Sequence, residues 1–340
     1  MNGQNVQRAS ENGPGGNGEL KEWLADRDRQ RRTQQRIAGF AQQWRSGPVQ
    51  ARFDRALADL PDASAETVAA AVEGLLADDG WLEALLDGLA ERMLDDPFFE
   101  PPFPYLNGEM HSGLVLFEDP RVSIAAGVTH AAQLASRKTA RRGATSVGFP
   151  GRMLVLKFIK AGGARISLWE APRITHAFTA ADAGQCVRTG ERRLADGDIV
   201  VLDGRHQSYV VEQVRSTMLI VQAEIAAGQA PLSVEYDSAG HGFVGCSATD
   251  DSASRIQMIA TLLRKLGCDG AFEPIAAFLH HPEFFVRWHV MKELLGIDAE
   301  AALPHLKRMA ARDPHPDTRR AARAVLDRLH SPPQPQRLAA

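Results

Sequence analysis

Three stretches near the end of the chain share one pattern: SRIQMIATLLRKL at residues 254–266, VRWHVMKELLGI at residues 286–297 and TRRAARAVLDRL at residues 318–329. Aligned with one another, they place an arginine at one common position and a leucine seven residues later, at Arg255, Arg287 and Arg319 and at Leu262, Leu294 and Leu326. A fixed period of this length is typical of stacked helical repeats. Such repeats leave an extended surface that more often binds a partner than performs a reaction.

Shorter helical segments precede two of these stretches, FEPIAAFL at residues 272–279 and ALPHLKRM at residues 302–309. From Ala253 to Leu329 the chain resembles the HEAT-repeat family, whose antiparallel helix pairs start their second helix with a hydrophobe followed by arginine, as Val286-Arg287 does. Asp313 represents the turn aspartate of that family, whereas the earlier turn has His280-His281. The resemblance implies a protein-binding surface or, for so short an array, a cap on the neighbouring domain; the candidate surface residues are Arg287, Trp288 and Arg320.

The middle of the chain has short β-rich runs between turn residues. Glycine pairs and Asp-Gly pairs supply the turns, because these residues accept backbone conformations that most others avoid. Eight strands at this spacing predict an antiparallel sandwich or barrel, and the interruption at residues 129–138 is compatible with a helix. The eight runs are Leu114–Phe117, Val122–Ala125, Met153–Ile159, Arg165–Trp169, Ile199–Leu202, Ser208–Val211, Met218–Ala223 and Leu232–Tyr236.

One segment of this region, GERRLADGDIVVLDGRHQSYVVEQ at residues 190–213, combines a Gly-Asp turn, an apolar strand, a second glycine turn and a histidine. It resembles the second motif of the cupin family, a jelly roll whose interior histidine binds iron or another divalent metal. The resemblance implies that His206 is the ligand. Where the first motif of that family has paired histidines, this chain has Leu168-Trp169-Glu170, and the nearest histidine is His176.

Two interpretations of this cupin-like region follow. Glu170, His176 and His206 could form a metal site, because alternate side chains of neighbouring strands point inward and a His and carboxylate set suits a non-haem metal. Alternatively, the domain is a degenerate, metal-free cupin that uses its interior for a small ligand or for packing. Candidate residues for a ligand cavity are Trp169, Arg205 and Tyr209.

Composition restricts the partners and the location of the protein. The chain has 340 residues, a formal net charge of −3 and a pI near 6.4, so no global basic field favours nucleic acid or anionic lipid. The three cysteines, Cys186, Cys246 and Cys268, are scattered and lack zinc-site spacing. We expect a cytoplasmic protein with reduced thiols, because no signal peptide and no apolar run of membrane-spanning length occurs.

The predicted domain boundaries follow from the changes between helical, β-rich and proline-rich sequence along the chain. We expect a disordered tail at residues 1–18, an N-terminal helical region at 19–96, a proline-rich linker or wrap at 97–112, a cupin-like β domain at 113–250, HEAT-like repeats at 251–330 and a proline-rich tail at 331–340. The predicted fold class is α+β, with a central antiparallel cupin-like barrel or sandwich between two helical regions.

The leading functional prediction is a non-catalytic regulatory or accessory protein without a cofactor. Its β domain would bind a small ligand and its helices a protein partner. The first alternative is a metal-dependent cupin-type oxygenase or isomerase, with iron or another divalent metal, acting on a small anionic substrate that Arg205 or Tyr209 orients. The second is a pure protein scaffold. The cupin resemblance also makes a homodimer an open expectation, because the sheets of that family often pair.

Overall fold

The computed structural model describes residues 17–330, except for residues 59, 61, 79, 109, 110 and 133–145. It begins with α1 (Asn17–Ala25), α2 (Arg27–Arg45), α3 (Pro48–Ala58), α4 (Ala65–Leu76) and α5 (Gly80–Asp95). Ser64 accepts a hydrogen bond from the backbone N–H of Thr67 and thereby satisfies a donor that has no partner within α4. The helical N-terminal region that the sequence predicts is therefore present.

The proline-rich segment after α5 packs against these helices. Its Phe99 and Phe103 are buried and make edge-to-face contacts with Phe40 of α2. Phe103 contacts Trp44 in the same geometry. The segment is therefore a wrap that closes the helical core, which is one of the two roles that its composition allows.

Twelve strands follow in the described part of the chain and form one large and two small sheets. The large sheet has the order β1-β2-β3-β10-β5-β8, and the small sheets have the orders β12-β11-β4 and β7-β6-β9. All their pairings are antiparallel. The strands are β1 (Tyr105–Asn107), β2 (His111–Asp119), β3 (Val122–Thr129), β4 (Ser146–Phe149), β5 (Met153–Lys160), β6 (Arg165–Glu170), β7 (Val187–Arg193), β8 (Ile199–Asp203), β9 (Gln207–Gln213), β10 (Met218–Ile225), β11 (Leu232–Asp237) and β12 (Phe243–Ala248).

The two small sheets together face the large one. They adjoin at β4 and β9, where the hydroxyl of Ser208 donates to the carbonyl of Gly148. Large apolar side chains from both walls, including Phe158, Ile166 and Leu156, fill the space beside β5 and β8. The described strands thus form a sandwich, in agreement with the predicted fold class.

The outer face of the large sheet packs against the N-terminal helices. Alternation along β3 sends Ile124 and Ala126 outward, into one hydrophobic core with Val68 and Val72 of α4. The alternate residues of β3, Ser123, Ala125 and Gly127, point between the sheets. The large sheet is therefore covered by the N-terminal helices on one face and by the small sheets on the other.

The C-terminal region is a helical array. It contains α6 (Asp251–Lys265), α7 (Phe272–Ala276), which continues as a 3₁₀ turn (Ala277–His280), α8 (Phe284–Ile297), α9 (Ala299–Arg312) and α10 (Pro316–His330). The pairs α7/α8 and α9/α10 are the two complete repeats. The helix α6 is a second helix without a first one, because β12 precedes it.

A buried ion pair links the two complete repeats. Arg287 of α8 donates from Nε and Nη2 to both carboxylate oxygens of Asp313, at 2.8 and 2.7 Å, and from Nη1 to the carbonyls of His281 and Pro282. Asp313 is the residue that represents the turn aspartate of the HEAT-repeat family in this chain. The ion pair holds α8 to the turn before α10.

The eight predicted strands are all present; β2 and β3 are about twice as long as their predicted runs, and the other six are longer by one to three residues. Four further strands, β1, β4, β7 and β12, were not predicted. The interruption at residues 129–138 falls largely outside the described residues, and Thr129 itself ends β3.

Candidate functional site

A cavity of about 910 Å³ lies between the large sheet and the small sheets. The inner face of β2, β3 and β10 forms one wall, and β9, with parts of β4 and β11, forms the other. A volume of this size is within the range of pockets that hold small organic molecules. The interior of the sandwich is therefore a packed core near β5 and β8 and an open cavity near β2 and β3.

The cavity exists because small residues replace large ones on the inner face of the large sheet. On β3, Ser123, Ala125 and Gly127 point inward at alternate positions. Gly127 pairs with Gly113 of β2, so two strands meet there without any side chain. A Cβ at Gly113 would lie 2.5 Å from the carbonyl oxygen of Ala126, so this glycine also permits the close approach of the strands.

Polar groups are concentrated at one end of the cavity wall. The register places Glu118 of β2 and Glu224 of β10 on either side of Ser123. Gln222, the next inward residue of β10, donates from Nε2 to Oε1 of Glu224 at 2.8 Å. Arg152 lies 3.4 Å from the other oxygen of Glu224, so this carboxylate is both hydrogen-bonded and ion-paired.

Arg152 is itself held from two further directions. Its Nε donates to the side chain of Gln229 at 2.9 Å, and its Nη2 donates to the carbonyl of Thr249 at 2.7 Å. Thr249 lies just before α6. The polar end of the cavity is therefore connected directly to the start of the helical array.

Tyr209 of β9 lines the opposite wall, as the sequence predicts for a cavity residue. Burial raises the pKa of its hydroxyl to about 12. The phenol is therefore protonated near neutral pH and is available as a hydrogen-bond donor to a bound molecule.

The structure does not bring together the three residues of the predicted metal site. Glu170 is exposed at the end of β6 and accepts a hydrogen bond from Gln207 at 3.4 Å. His176 is exposed beside the array, with Nδ1 3.5 Å from a carboxylate oxygen of Glu283. Glu170, His176 and His206 thus have different partners and do not converge on a common point.

His206 occupies the turn between β8 and β9. Its Nδ1 lies 3.3 Å from Asp203 and 3.2 Å from Nη2 of Arg173. Across the parts of the chain that the structure describes, no group of three or more His, Cys, Asp or Glu side chains is suited to hold a metal ion. The residues present therefore do not fit the metal that the cupin resemblance implies.

Arg205, predicted to line a ligand cavity, is bound elsewhere. It donates to Asp203, to Glu66 of α4 and to the carbonyl of Gly228. Burial alone would raise the pKa of Asp203, but the side-chain and backbone hydrogen bonds from Arg205 outweigh burial and hold this pKa below its ordinary value. Arg205 thus ties the sandwich to the N-terminal helices, and a substrate-orienting role does not fit its contacts.

Trp169, the other cavity candidate, belongs to a packed core. It is 5% exposed and donates from Nε1 to the hydroxyl of Ser167 at 2.8 Å. Its ring makes an edge-to-face contact with the ring of His241. The alternation of β6 therefore buries Trp169 outside the cavity.

The predicted partner surface of the array needs a similar correction. Arg287 is 6% exposed and is paired with Asp313, so it does not lie on an accessible surface. Trp288 is half-buried and packs on the core of the array. Arg320 is exposed and pairs with Asp317 within α10. Of the three residues, only Arg320 is presented fully to solvent.

The strand MLIVQAEI, residues 218–225, carries a signal for the cavity in its sequence. Gln222 and Glu224 share a face with Ile220, so the polar residues occupy inward positions of the strand. Polar side chains at the inward positions of a strand whose outward positions are apolar indicate a wall that binds a ligand. Arg152 gave no such signal, because its role depends on contacts with distant residues.

None of the helices in the described ranges is both long and apolar enough to cross a bilayer.

Comparison with known proteins identifies one family and several similar structures. The family described as HEAT repeats matches residues 246–327, which confirms the repeat prediction. No curated protein matches the chain.

Three similar solved structures have cupin or enzyme descriptions. Ectoine synthase from P. lautus is 13% identical, with 36% of this chain and 67% of that chain covered and a TM-score of 0.22. A cupin domain from Bordetella pertussis is 13% identical, with 36% of this chain and 99% of that chain covered and a TM-score of 0.21. A sugar phosphate isomerase from Silicibacter pomeroyi, described as a member of a cupin superfamily, is 9% identical. The match covers 46% of this chain and 92% of that chain, with a TM-score of 0.23. This chain therefore combines an antiparallel β sandwich with a C-terminal helical array that matches HEAT repeats.

Proposed function

We propose that the protein is a cytoplasmic regulatory or accessory protein whose sandwich binds a small organic molecule and whose HEAT array binds a protein partner. The observation that carries the proposal is the cavity of about 910 Å³, with its wall of small and polar residues. HEAT repeats in general support interaction with other proteins. Recognition of a ligand, and not its conversion, is the role proposed for the cavity.

The charges around the cavity restrict the chemistry of the ligand. Among the residues that the structure describes, the carboxylates of Glu118, Glu224, Glu235 and Asp251 line it, against the guanidinium of Arg152. An excess of negative charge disfavours an anionic molecule. The fitting ligand is a neutral or positively charged molecule with several hydrogen-bonding groups, in contrast to the anionic substrate of the enzyme alternative.

The polar groups of the cavity also suggest how such a ligand would be held. The Tyr209 hydroxyl would donate to an acceptor on the ligand, and Glu118 would accept from a hydroxyl or amine. Glu224 is already oriented by Arg152 and Gln222, so its geometry is fixed before binding. A site that is formed in advance loses little free energy on ordering when the ligand binds.

The test compares ligand binding by the wild type with binding by a variant whose cavity is filled. The purified protein is screened by thermal shift and native mass spectrometry against neutral polyols and small amines, and the best ligand is titrated by calorimetry. Ala125→Leu fills the cavity from β3 and should weaken binding by at least about tenfold, which corresponds to roughly 1.4 kcal/mol.

Ala195→Leu, at an exposed turn between β7 and β8, is the matched control and should leave the affinity unchanged. Equal affinity in Ala125→Leu and the wild type would show that the ligand binds outside the cavity. If neither ligand class binds, the proposed ligand-binding role is wrong.

A further inference from the structure

A second cavity, of about 620 Å³, lies where the two complete repeats of the array meet the sandwich. One side of α9, the turn between α7 and α8 and the turn between α9 and α10 line it. His176 and Ala177, in the loop after β6, line it from the sandwich. We call this cavity the array cleft. It is separate from the cavity between the sheets, because the two share no lining residue.

Two arginines of α9 give the array cleft a positive charge. His305, Arg308 and Arg312 follow one another at intervals of three and four residues, so their side chains lie on one face of the helix. Arg308 and Arg312 are exposed, and among the described residues no carboxylate forms an ion pair with either of them. This face of α9 therefore presents two guanidinium groups that are available to a ligand.

The other charges at the cleft are already paired. Asp313 lines it, and Arg287 donates to both carboxylate oxygens of Asp313 at 2.8 and 2.7 Å. Asp313 also accepts from the backbone N–H of His315 at 2.8 Å. The carboxylate of Glu283 lies outside the lining, 3.5 Å from Nδ1 of His176. The net charge that faces the cleft therefore comes from the two arginines of α9.

Histidines of the same walls add neutral hydrogen-bond donors. Nδ1 of His281 accepts from the backbone N–H of Glu283 at 3.1 Å, so the neutral ring carries its proton on Nε2 and can donate from there. His280 and His305 also line the cleft. Imidazole N–H groups beside guanidinium groups are suited to bind the oxygens of a carboxylate or a phosphate.

Part of the wall is apolar. The ring of Phe284 stacks on the ring of His315, with centroids 3.7 Å apart and planes inclined by 7°. Nε2 of His315 lies 2.9 Å from the carbonyl oxygen of Phe178, so this stack is fixed between the array and the sandwich. Leu279 and the buried Met309 line the cleft as well. The cations are therefore beside an aromatic and aliphatic surface.

The size of the cleft favours a small molecule. Its volume of about 620 Å³ is within the range of sites that hold small organic ligands. An extended segment of a partner protein would need a groove that continues along several repeats. The array cleft belongs to one junction between two repeats, and residues of the sandwich lie at its side.

We propose that the array cleft binds a small organic anion, with a carboxylate or phosphate group on an apolar body. The anionic group binds to Arg308, Arg312 and the imidazole of His281, and the apolar body packs on Phe284 and Met309. This ligand differs in charge from the one that we propose for the cavity between the sheets, so the two sites select different molecules.

The test follows methionine methyl signals by NMR in the full-length protein, labelled with carbon-13 at these methyl groups. Met309 lines the array cleft and Met218 lines the cavity between the sheets, so their signals report on the two sites separately. Substitution of each by leucine assigns the two signals.

The probes are phenylacetate and phenyl phosphate, with phenylacetamide as the uncharged counterpart of the first. We expect both anions to shift the signal of Met309 and to leave that of Met218 in place. Phenylacetamide should bind at least about tenfold more weakly than phenylacetate, because it lacks the charge that the guanidinium groups recognise. The ratio of the two anion affinities shows whether carboxylate or phosphate is preferred.

Variants of the arginines test the assigned contacts. The double variant Arg308→Gln with Arg312→Gln should weaken binding of the tighter anion by at least about tenfold, and the corresponding double lysine variant should retain part of the affinity. Arg255→Gln, at an exposed arginine of α6 outside the cleft, is the matched control and should bind as the wild type does. Circular dichroism of each variant confirms that the fold is kept.

Several results would overturn the proposal. Equal affinity for phenylacetate and phenylacetamide would show that the cleft does not select a negative charge. Binding that the double glutamine variant leaves unchanged, or that shifts Met218 and not Met309, would place the anion elsewhere. If neither anion shifts Met309 at millimolar concentration but a glutamate-rich peptide does, the cleft binds a protein segment; if none of them does, it is not an anion site. None of these failures would remove the ligand proposed for the cavity between the sheets, which is neutral or positively charged.

Discussion

The helices α6 and α8 have equivalent sequences in one register and opposite environments. Leu262 and Leu294 stand at the same repeat position, yet Leu262 is 54% exposed and Leu294 is fully buried. Arg255 and Arg287 differ in the same way, because only Arg287 has an aspartate partner. The comparison teaches that a repeat motif specifies the shape of a helix face, while the neighbouring elements decide whether that face is core or surface.

The largest expected difference concerns Asp313 and His281, which occupy equivalent positions in the turns of the two complete repeats. Asp313→Ala leaves the guanidinium of Arg287 buried without its carboxylate and should lower the free energy of unfolding of the array by about 3–5 kcal/mol. His281→Ala, the equivalent change in the first turn, removes no ion-pair partner of Arg255. The loss of unfolding free energy in His281→Ala should therefore be much smaller, and chemical denaturation of the two variants would measure it. Equal losses in the two variants would show that the ion pair of Arg287 with Asp313 does not stabilise the array.

Truncation of the equivalent leucines gives the next largest difference. Leu294→Ala removes a side chain from a closed core and should cost about 2–5 kcal/mol. Leu262→Ala removes a side chain that is mostly in solvent and should cost below about 1 kcal/mol. Urea unfolding followed by circular dichroism compares the two. A large loss in Leu262→Ala would mean that this leucine is covered in solution.

The smallest effect is a pH dependence in the contact between α6 and α8. His289 lies 2.8 Å from the hydroxyl of Thr261, and Arg264 donates to Glu293. Burial and the nearby charge of Lys292 lower the pKa of His289. The unfolded chain therefore takes up this proton more readily than the folded protein, and stability should fall as the pH drops below about 6.5, the ordinary pKa of histidine.

His289→Gln removes this titration and retains a side chain that can bond to Thr261. The free energy of unfolding of this variant should depend less on pH than that of the wild type between pH 7 and pH 5, as denaturation at a series of pH values would show. Identical pH profiles would exclude His289 as the cause.

Secondary structure was most predictable where strands are covered on a face. The four strands that sequence analysis missed, β1, β4, β7 and β12, are all at sheet edges. In β7, VRTGERR, only Gly190 is not fully exposed, so the strand lacks the alternation of apolar and polar residues that marks buried strands. Edge strands are defined by the hydrogen bonds of a neighbour, which a single sequence does not reveal.

The site was less predictable than the fold, for a related physical reason. Tyr209, one of the residues predicted to line a ligand cavity, lies on the cavity wall, where alternation along β9 directs its side chain. Arg205 and Trp169 were assigned to the cavity wrongly, because their partners Glu66 and His241 are distant in sequence. Arg287 was predicted to lie on the partner surface of the array, whereas its pairing with Asp313 allows burial.

The order of strands in the large sheet also determines when the protein can fold. Val122 of β3 pairs with Ile225 of β10, so this sheet must close a long loop before it gains its central hydrogen bonds. Local contacts dominate the helical array, and such structures form faster than sheets with distant pairings. The helices α1–α5 are synthesised first, but the face that they cover includes β10. During translation they therefore remain without their complete partner surface until residue 225 has left the ribosome.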